Sequence, residues 1–411
     1  MNQLAFGLAV LACAMLVIMP AVASDYTLGI FGNANIDDTI DEEDIAYVEG
    51  IIEGTNEETE LSDANYDGKI DEDDIVQIEM MIRNEEKELT IIDSADRIVT
   101  VNKPVDRMVG FNGDEVMRSL HATDKIVGVT DYTIKDDVFF PEFTDYPNIG
   151  TTSAPNYETI LELQPDIVIL YAYKSEYDEI QNKLESIDSH ITVIRMDFFK
   201  SESLVDEITK IGYICDKNKE AEEYIEFFAG SINAIEDKTR DIPEEERLKV
   251  YFEWNNPYKA YCGGSGSHQN IVRAGGQNIF GDISLLGTDI DPEEVMSRDP
   301  EIIIKFAPGG YEYNHENISI FEDIRNEIMN RDELASVTAV KNGRVYVLSQ
   351  DLQSGPRSFL SSEYMAKWFH PELFEDLDPQ AIHQEYLTRF QGLDYDLDEN
   401  GVFVYPPQEA S

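Results

Sequence analysis

Along most of the chain, short apolar runs alternate with amphipathic stretches. Met108–Phe111, Ile126–Val129, Ile167–Tyr171 and Val193–Met196 read as buried strands with helices between them. A second group, Val250–Trp254, Ile302–Phe306 and Val345–Leu348, follows a long polar stretch. Strands alternating with helices predict an α/β body with largely parallel sheets. Between the groups, Ala221, Tyr224, Ile225, Phe228, Ile232 and Ile235 recur at helical spacing, with no proline until Pro243. This predicts a long helix, either a rod joining two α/β halves or an ordinary surface helix. One pattern occurs twice: Glu158 opens a short helix stopped at Pro165 before Asp166-Ile-Val-Ile, and Glu293 opens one stopped at Pro300 before Glu301-Ile-Ile-Ile. The two halves are therefore expected to be similar lobes, each with a carboxylate at the start of the same helix.

The amino-terminal region obeys a different pattern. Residues 1–23 carry no charge, and the apolar run ends in Ala21-Val22-Ala23, a small-residue cleavage pattern; a retained anchor is the alternative. An exported chain, extracellular or held at the cell envelope, is expected. Two twelve-residue loops come next, thirty positions apart. Asn33, Asn35, Asp37, Asp41 and Asp44 supply oxygen side chains at positions 1, 3, 5, 9 and 12, and Asp63, Asn65, Asp67, Asp71 and Asp74 do the same. Thr39 and Lys69 would add a backbone carbonyl at position 7. Calcium takes six to eight hard oxygens, and this spacing lets one tight loop supply them. Position 6 is Gly68 in one loop and Asp38 in the other, and each loop leads into an apolar helix. Two calcium ions are the expected cofactors. An acidic, solvated stretch of turns is the plainer alternative.

Charge narrows the partners. The 83 acidic and 31 basic residues of the 411 give a net charge of −52, which argues against nucleic acid and anionic lipid. Six scattered histidines, with no pair four apart on one helix face, argue against direct capture of a transition metal. The stretch Gly263-Gly-Ser-Gly-Ser-His268 lacks both the nucleophile elbow and the phosphate-loop lysine, so an enzyme is disfavoured. Asn317-Ile-Ser is a glycosylation sequon, and nothing in the sequence pairs Cys215 with Cys262.

Several segments, in this order, resemble the iron-siderophore and cobalamin group of ABC importer substrate-binding proteins. They are Arg107-Met-Val-Gly-Phe, Lys125-Ile-Val-Gly-Val-Thr, Pro155-Asn-Tyr-Glu-Thr-Ile-Leu-Glu-Leu-Gln-Pro-Asp-Ile-Val-Ile, Ala274-Gly-Gly-Gln-Asn-Ile-Phe and Lys341-Asn-Gly-Arg-Val-Tyr. The resemblance implies two Rossmann-like α/β lobes, 97–216 and 247–393, joined by one backbone helix at 217–242. It also implies a metal–organic chelate held between the lobes, and a permease met by one glutamate per lobe, here Glu158 and Glu293. Aromatic residues just past strand ends are ligand candidates: Tyr132, Tyr173, Trp254 and Tyr258, with Arg357 to grip an anionic chelate. The duplicated loops, within 25–84, resemble a dockerin, a small all-α module that docks onto a cohesin-type partner. A calcium-stabilised spacer or a non-transport surface complex are the other readings. Residues 85–96 read as a linker or first strand, and 394–411 as a tail.

Overall fold

The computed structural model describes residues 27–173, 177–200, 202–307, 313, 318–353 and 355–407. The uncharged leader and the Asn317 sequon lie outside them.

Each amino-terminal loop is followed by an eleven-residue helix, α1 Glu42–Ile52 and α2 Glu72–Ile82. Asp41 and Asp71 cap them, and Asp44 and Asp74 return the bond as capping boxes. Val48, Ile78 and Met81 are fully shielded. They belong to one apolar cluster with Leu28, Ile30, Leu89 and Ile91, so the module shares its core with residues beyond 84. Of the two readings of residues 85–96, linker or first strand, the strand is the one that forms. Strand β1 (Glu88–Ile92) pairs with β2 (Ile98–Asn102) as a hairpin, and Ile30 bridges to Ile91 on its other side.

The first lobe is a parallel sheet of β3 (Met108–Gly110), β4 (Ile126–Gly128), β5 (Ile167–Leu170) and β6 (Thr192–Arg195), in the order β4-β3-β5-β6. Ile167–Leu170 is buried along its whole length, which is why it reads as a continuous apolar run. The second lobe is built on β7 (Leu248–Glu253). On one side it has the parallel strands β11 (Ile302–Ala307) and β12 (Val345–Ser349); on the other lie β8 (Lys259–Tyr261), β9 (Gly276–Asn278) and β10 (Gly287–Asp289). The segment read as a tail closes this sheet, because β13 (Val404–Tyr405) pairs antiparallel with β12.

A 22-residue helix, Asn218–Thr239, lies between the two sheets in sequence. It packs against Leu204–Cys215 of the first lobe and Phe359–Phe369 of the second. The repeated pattern is reproduced bond for bond. Asp166 N–H donates to the Arg107 carbonyl and Glu301 N–H to that of Lys249, both at 2.8 Å. In return, each carboxylate accepts the other residue's N–H, at 2.8 and 3.1 Å. Cys215 and Cys262 are both buried and free.

Candidate ligand-binding cleft and calcium loops

In doubly wound sheets, ligands gather beyond the carboxyl ends of the strands. In the first lobe those ends carry a group of aromatic rings. Tyr173, 45% exposed, lies 5.5 Å from Tyr171 and 5.5 Å from Phe199, with Tyr177 5.7 Å from Tyr171. Tyr132, past β4, is 63% exposed. Asp197 fixes the loop that carries Tyr173, its Oδ1 accepting the N–H groups of Ala172 (2.8 Å) and Tyr173 (3.2 Å). Burial raises the Tyr171 hydroxyl well above the usual phenol range, so it stays protonated.

The strand ends of the second lobe hold ion pairs instead. Glu253, fully shielded, receives Arg331 at 2.7 Å and Lys305 at 3.0 Å. Despite burial, these partners hold its carboxyl below the usual range.

The lobes meet through buried polar groups. Arg357 is 6% exposed, 3.5 Å from Glu115 of the first lobe and 4.0 Å over the Phe139 ring. The Tyr386 hydroxyl also donates to Glu115, and Arg118 donates to Gln391 at 2.7 Å. Two carboxyls on this floor are pushed up by burial, Asp114 to about 7 against a bond from Thr133, and Asp136 to about 6 against Arg357.

A family model described as periplasmic binding protein matches residues 111–352, well over half of the chain. The chain belongs to this family. Such binding proteins serve ABC transporters rather than carrying out catalysis. The curated relatives include the ABC transporter substrate-binding lipoprotein YvrC of Bacillus subtilis, 24% identical over 295 residues, covering 70% of this chain and 87% of that one. The molybdate-binding protein MolA of Haemophilus influenzae is 21% identical, covering 75% and 92%. Among solved structures, the TroA-like periplasmic binding protein FepB from Veillonella parvula superposes with a TM-score of 0.65 at 24% identity, covering 77% and 98%. Among the described residues, no helix is long and apolar enough to cross a membrane.

Within this binding protein the expected ligand residues separate. Tyr132 and Tyr173 stand exposed past their strands. Trp254 follows β7 in a loop, half-buried, stacked 4.8 Å from Tyr261 with the Lys259 ammonium 4.5 Å over its ring. Tyr258 is occupied elsewhere: its hydroxyl donates to Glu333 at 2.6 Å and its ring lies under Arg331. Arg357 lies deep in the seam, its Nε 3.5 Å from Glu115 and its Nη1 donating to the Tyr313 hydroxyl at 3.4 Å, as an arginine buried this deeply needs a counter-charge within the protein. Phe199, which the same strand-end rule reaches, lies four residues past the end of β6 and packs against Tyr173.

Glu158 and Glu293 are both exposed, each the second residue of its helix, Tyr157–Glu162 or Pro292–Arg298. Asn156 and Asp291 cap these helices, which leaves both glutamate side chains to solvent.

The two amino-terminal loops fold alike. Asn35 N–H donates to Asp44 Oδ1 and Asn65 N–H to Asp74 Oδ1, both at 3.1 Å. Asp37 N–H reaches Asn33 Oδ1 at 3.2 Å, and Asp67 N–H reaches Asp63 Oδ1 at 3.0 Å. Position 4 is left-handed in both, Ile36 at φ 60° and Tyr66 at 55°, as is position 6, Asp38 at 69° and Gly68 at 88°. Asp44 and Asp74 are completely shielded, and burial pushes the Asp44 carboxyl up to about 6. Among the described residues, no three His, Cys, Asp or Glu side chains are drawn together as a ligand cluster; in the loops the carboxylates hold backbone N–H groups. The donor set fits a hard cation nonetheless. It is all oxygen, and its position-12 carboxylates are buried with no ion-pair partner among the described residues.

Proposed function

We propose that this protein captures a metal–organic chelate, an iron(III)–siderophore, and delivers it to an ABC permease, held at the envelope by a calcium-binding, dockerin-like module that docks onto a cohesin-type partner. One observation carries the delivery step. Two exposed glutamates occupy the same helix position, one per lobe. Basic residues on a permease would engage both at once.

Cargo chemistry follows from the strand ends. MolA is named for molybdate, but a bare oxyanion calls for cations with charge to spare. Among the described residues here, Lys200 is paired with Asp197 at 2.7 Å, Arg357 with Glu115 and Lys305 with Glu253. Tyrosine and phenylalanine rings suit the organic shell of a chelate better. The module's docking role rests on the duplicated loops alone; all-oxygen donors at two matching sites support two calcium ions there.

Calorimetric titration of the full mature chain with a ferric trihydroxamate and, separately, cyanocobalamin and haem tests the cargo. Saturable one-to-one binding of the ferric chelate is expected. Binding of cyanocobalamin or haem alone replaces siderophore with corrinoid or haem, and silence from all three removes the chelate reading. Reversing both charges, Glu158→Lys with Glu293→Lys, should abolish uptake in cells while ligand affinity stays within twofold. Weakened binding in that variant would remove the delivery role.

A further inference from the structure

The first calcium loop differs from the second in one respect that its own folding does not require. Position 6 needs a left-handed residue, for which glycine is the least strained, and the second loop has Gly68 with open space around it. The first loop has Asp38 there, and its Oδ1 accepts the N–H of Leu28 at 2.6 Å. Asn33, the first residue of the same loop, donates from its side-chain amide to the Leu28 carbonyl at 3.0 Å. Leu28 is thereby held from both sides by one loop.

From Leu28 the contacts lead into the first lobe. Gly29 N–H donates to Asp206 Oδ1 at 3.3 Å, and the Gly29 carbonyl accepts Ile92 N–H at 2.7 Å. A side chain at position 29 would meet Ile92 and the Lys210 ammonium at 3.1–3.2 Å, so the approach is close. Lys210 joins Asp206 and the Ile92 carbonyl, each at 2.5 Å. The next residue, Glu207, is fully shielded and accepts Asp197 N–H at 2.9 Å, Phe198 N–H at 2.6 Å and the Ser94 hydroxyl at 2.5 Å. Asp197 in turn holds the N–H groups of Ala172 and Tyr173. Every member from Asp206 to Asp197 is buried, where such bonds are strong and poorly replaced by water.

We propose that calcium in the first loop orders the aromatic ligand platform of the first lobe, with Asp206, Glu207 and Asp197 as positioning residues, so that cargo binding is conditioned on calcium. The proposal rests on the calcium and cargo readings above. It makes the module a regulatory part of the binding lobe, beyond any tether. By linkage, a calcium-dependent gain in cargo affinity must be matched by an equal cargo-dependent gain in calcium affinity; such couplings are typically about 5- to 150-fold.

The test is hydrogen–deuterium exchange on the full mature chain in calcium chloride against EGTA, which needs no cargo. Calcium should slow exchange within 33–74 and also in peptides covering 88–94, 171–173 and 197–215, by threefold or more. Slowing confined to 27–83 would overturn the coupling while leaving the calcium reading standing. No change within 33–74 would remove both. Asp38→Gly supplies the second arm, since glycine suits position 6 and the loop keeps its ligands. That variant should still respond within 33–74 but lose the response at 171–173 and 197–215. If the distant response is undiminished in Asp38→Gly, the route through the Asp38–Leu28 bond is wrong.

Discussion

The two lobes repeat one another up to the ends of their strands and diverge there. Each has a capped short helix with an exposed glutamate, a proline stop, and a buried strand whose leading carboxylate holds the neighbouring strand's backbone. Past the strands, the first lobe sets out aromatic rings with Tyr132 and Tyr173 exposed, whereas the second buries Glu253 with Lys305 and Arg331 and stacks Trp254 on Tyr261. Backbone symmetry thus repeats the strand ends, and the side chains decide what each lobe presents there. The first lobe leaves aromatic surface exposed. The second invests its polar groups in rigidity.

The largest test of that contrast is Glu253→Ala. It would leave buried Lys305 without its carboxylate and Arg331 with Glu327 alone, and removing one member of a buried ion cluster costs about 3–5 kcal/mol. Urea unfolding should show a loss of that order; a loss under about 1 kcal/mol would mean the second wall is no rigid element. Next comes Glu363, 1% exposed on helix Phe359–Phe369, whose carboxyl burial pushes up to about 7 although the Ser231 hydroxyl on the long helix donates to it. Because the folded state holds this proton more tightly than the unfolded chain, its contribution is fully present below the ordinary carboxyl value. It is lost as pH rises toward about 7. Glu363→Gln should therefore unfold later than the parent at pH 8, by on the order of 1–3 kcal/mol, and match it near pH 4.5; a gain independent of pH would refute the assignment. The smallest expected effect separates the two walls directly. Tyr173→Ala should weaken binding of the ferric trihydroxamate about tenfold, the worth of roughly one aromatic contact, whereas Tyr258→Ala should change it less than twofold. Equal losses in calorimetry would erase the distinction.

Periodicity made much of the fold legible. Ile167–Leu170 and Ile302–Ala307 are buried on both faces, so hydrophobicity alone marks them. The strand-end rule picks out Tyr132 and Tyr173, which stand exposed, and reaches Phe199 as well. It failed to separate these from Tyr258, since Arg331 and Glu333 lie more than seventy residues further along and only folding brings them against that ring. The carboxyl-terminal segment escaped the sequence for a related reason. A two-residue strand such as Val404–Tyr405 has no periodicity of its own and exists because β12 offers it an edge.

What the sequence by itself determined is local. The loop spacings, the capped helices, the proline stops and the apolar strands each arise from residues within about a dozen positions of one another, where chain connectivity already sets the geometry. Only the tertiary structure decided that Arg357 belongs to Glu115, that Asp38 fastens Leu28 as well as turning a loop, and that the amino-terminal module shares a core with the first lobe. The first is a choice of partner among 83 acids and 31 bases. Which charge is buried beside which depends on how whole elements pack, because a buried charge takes the counter-charge that packing places beside it.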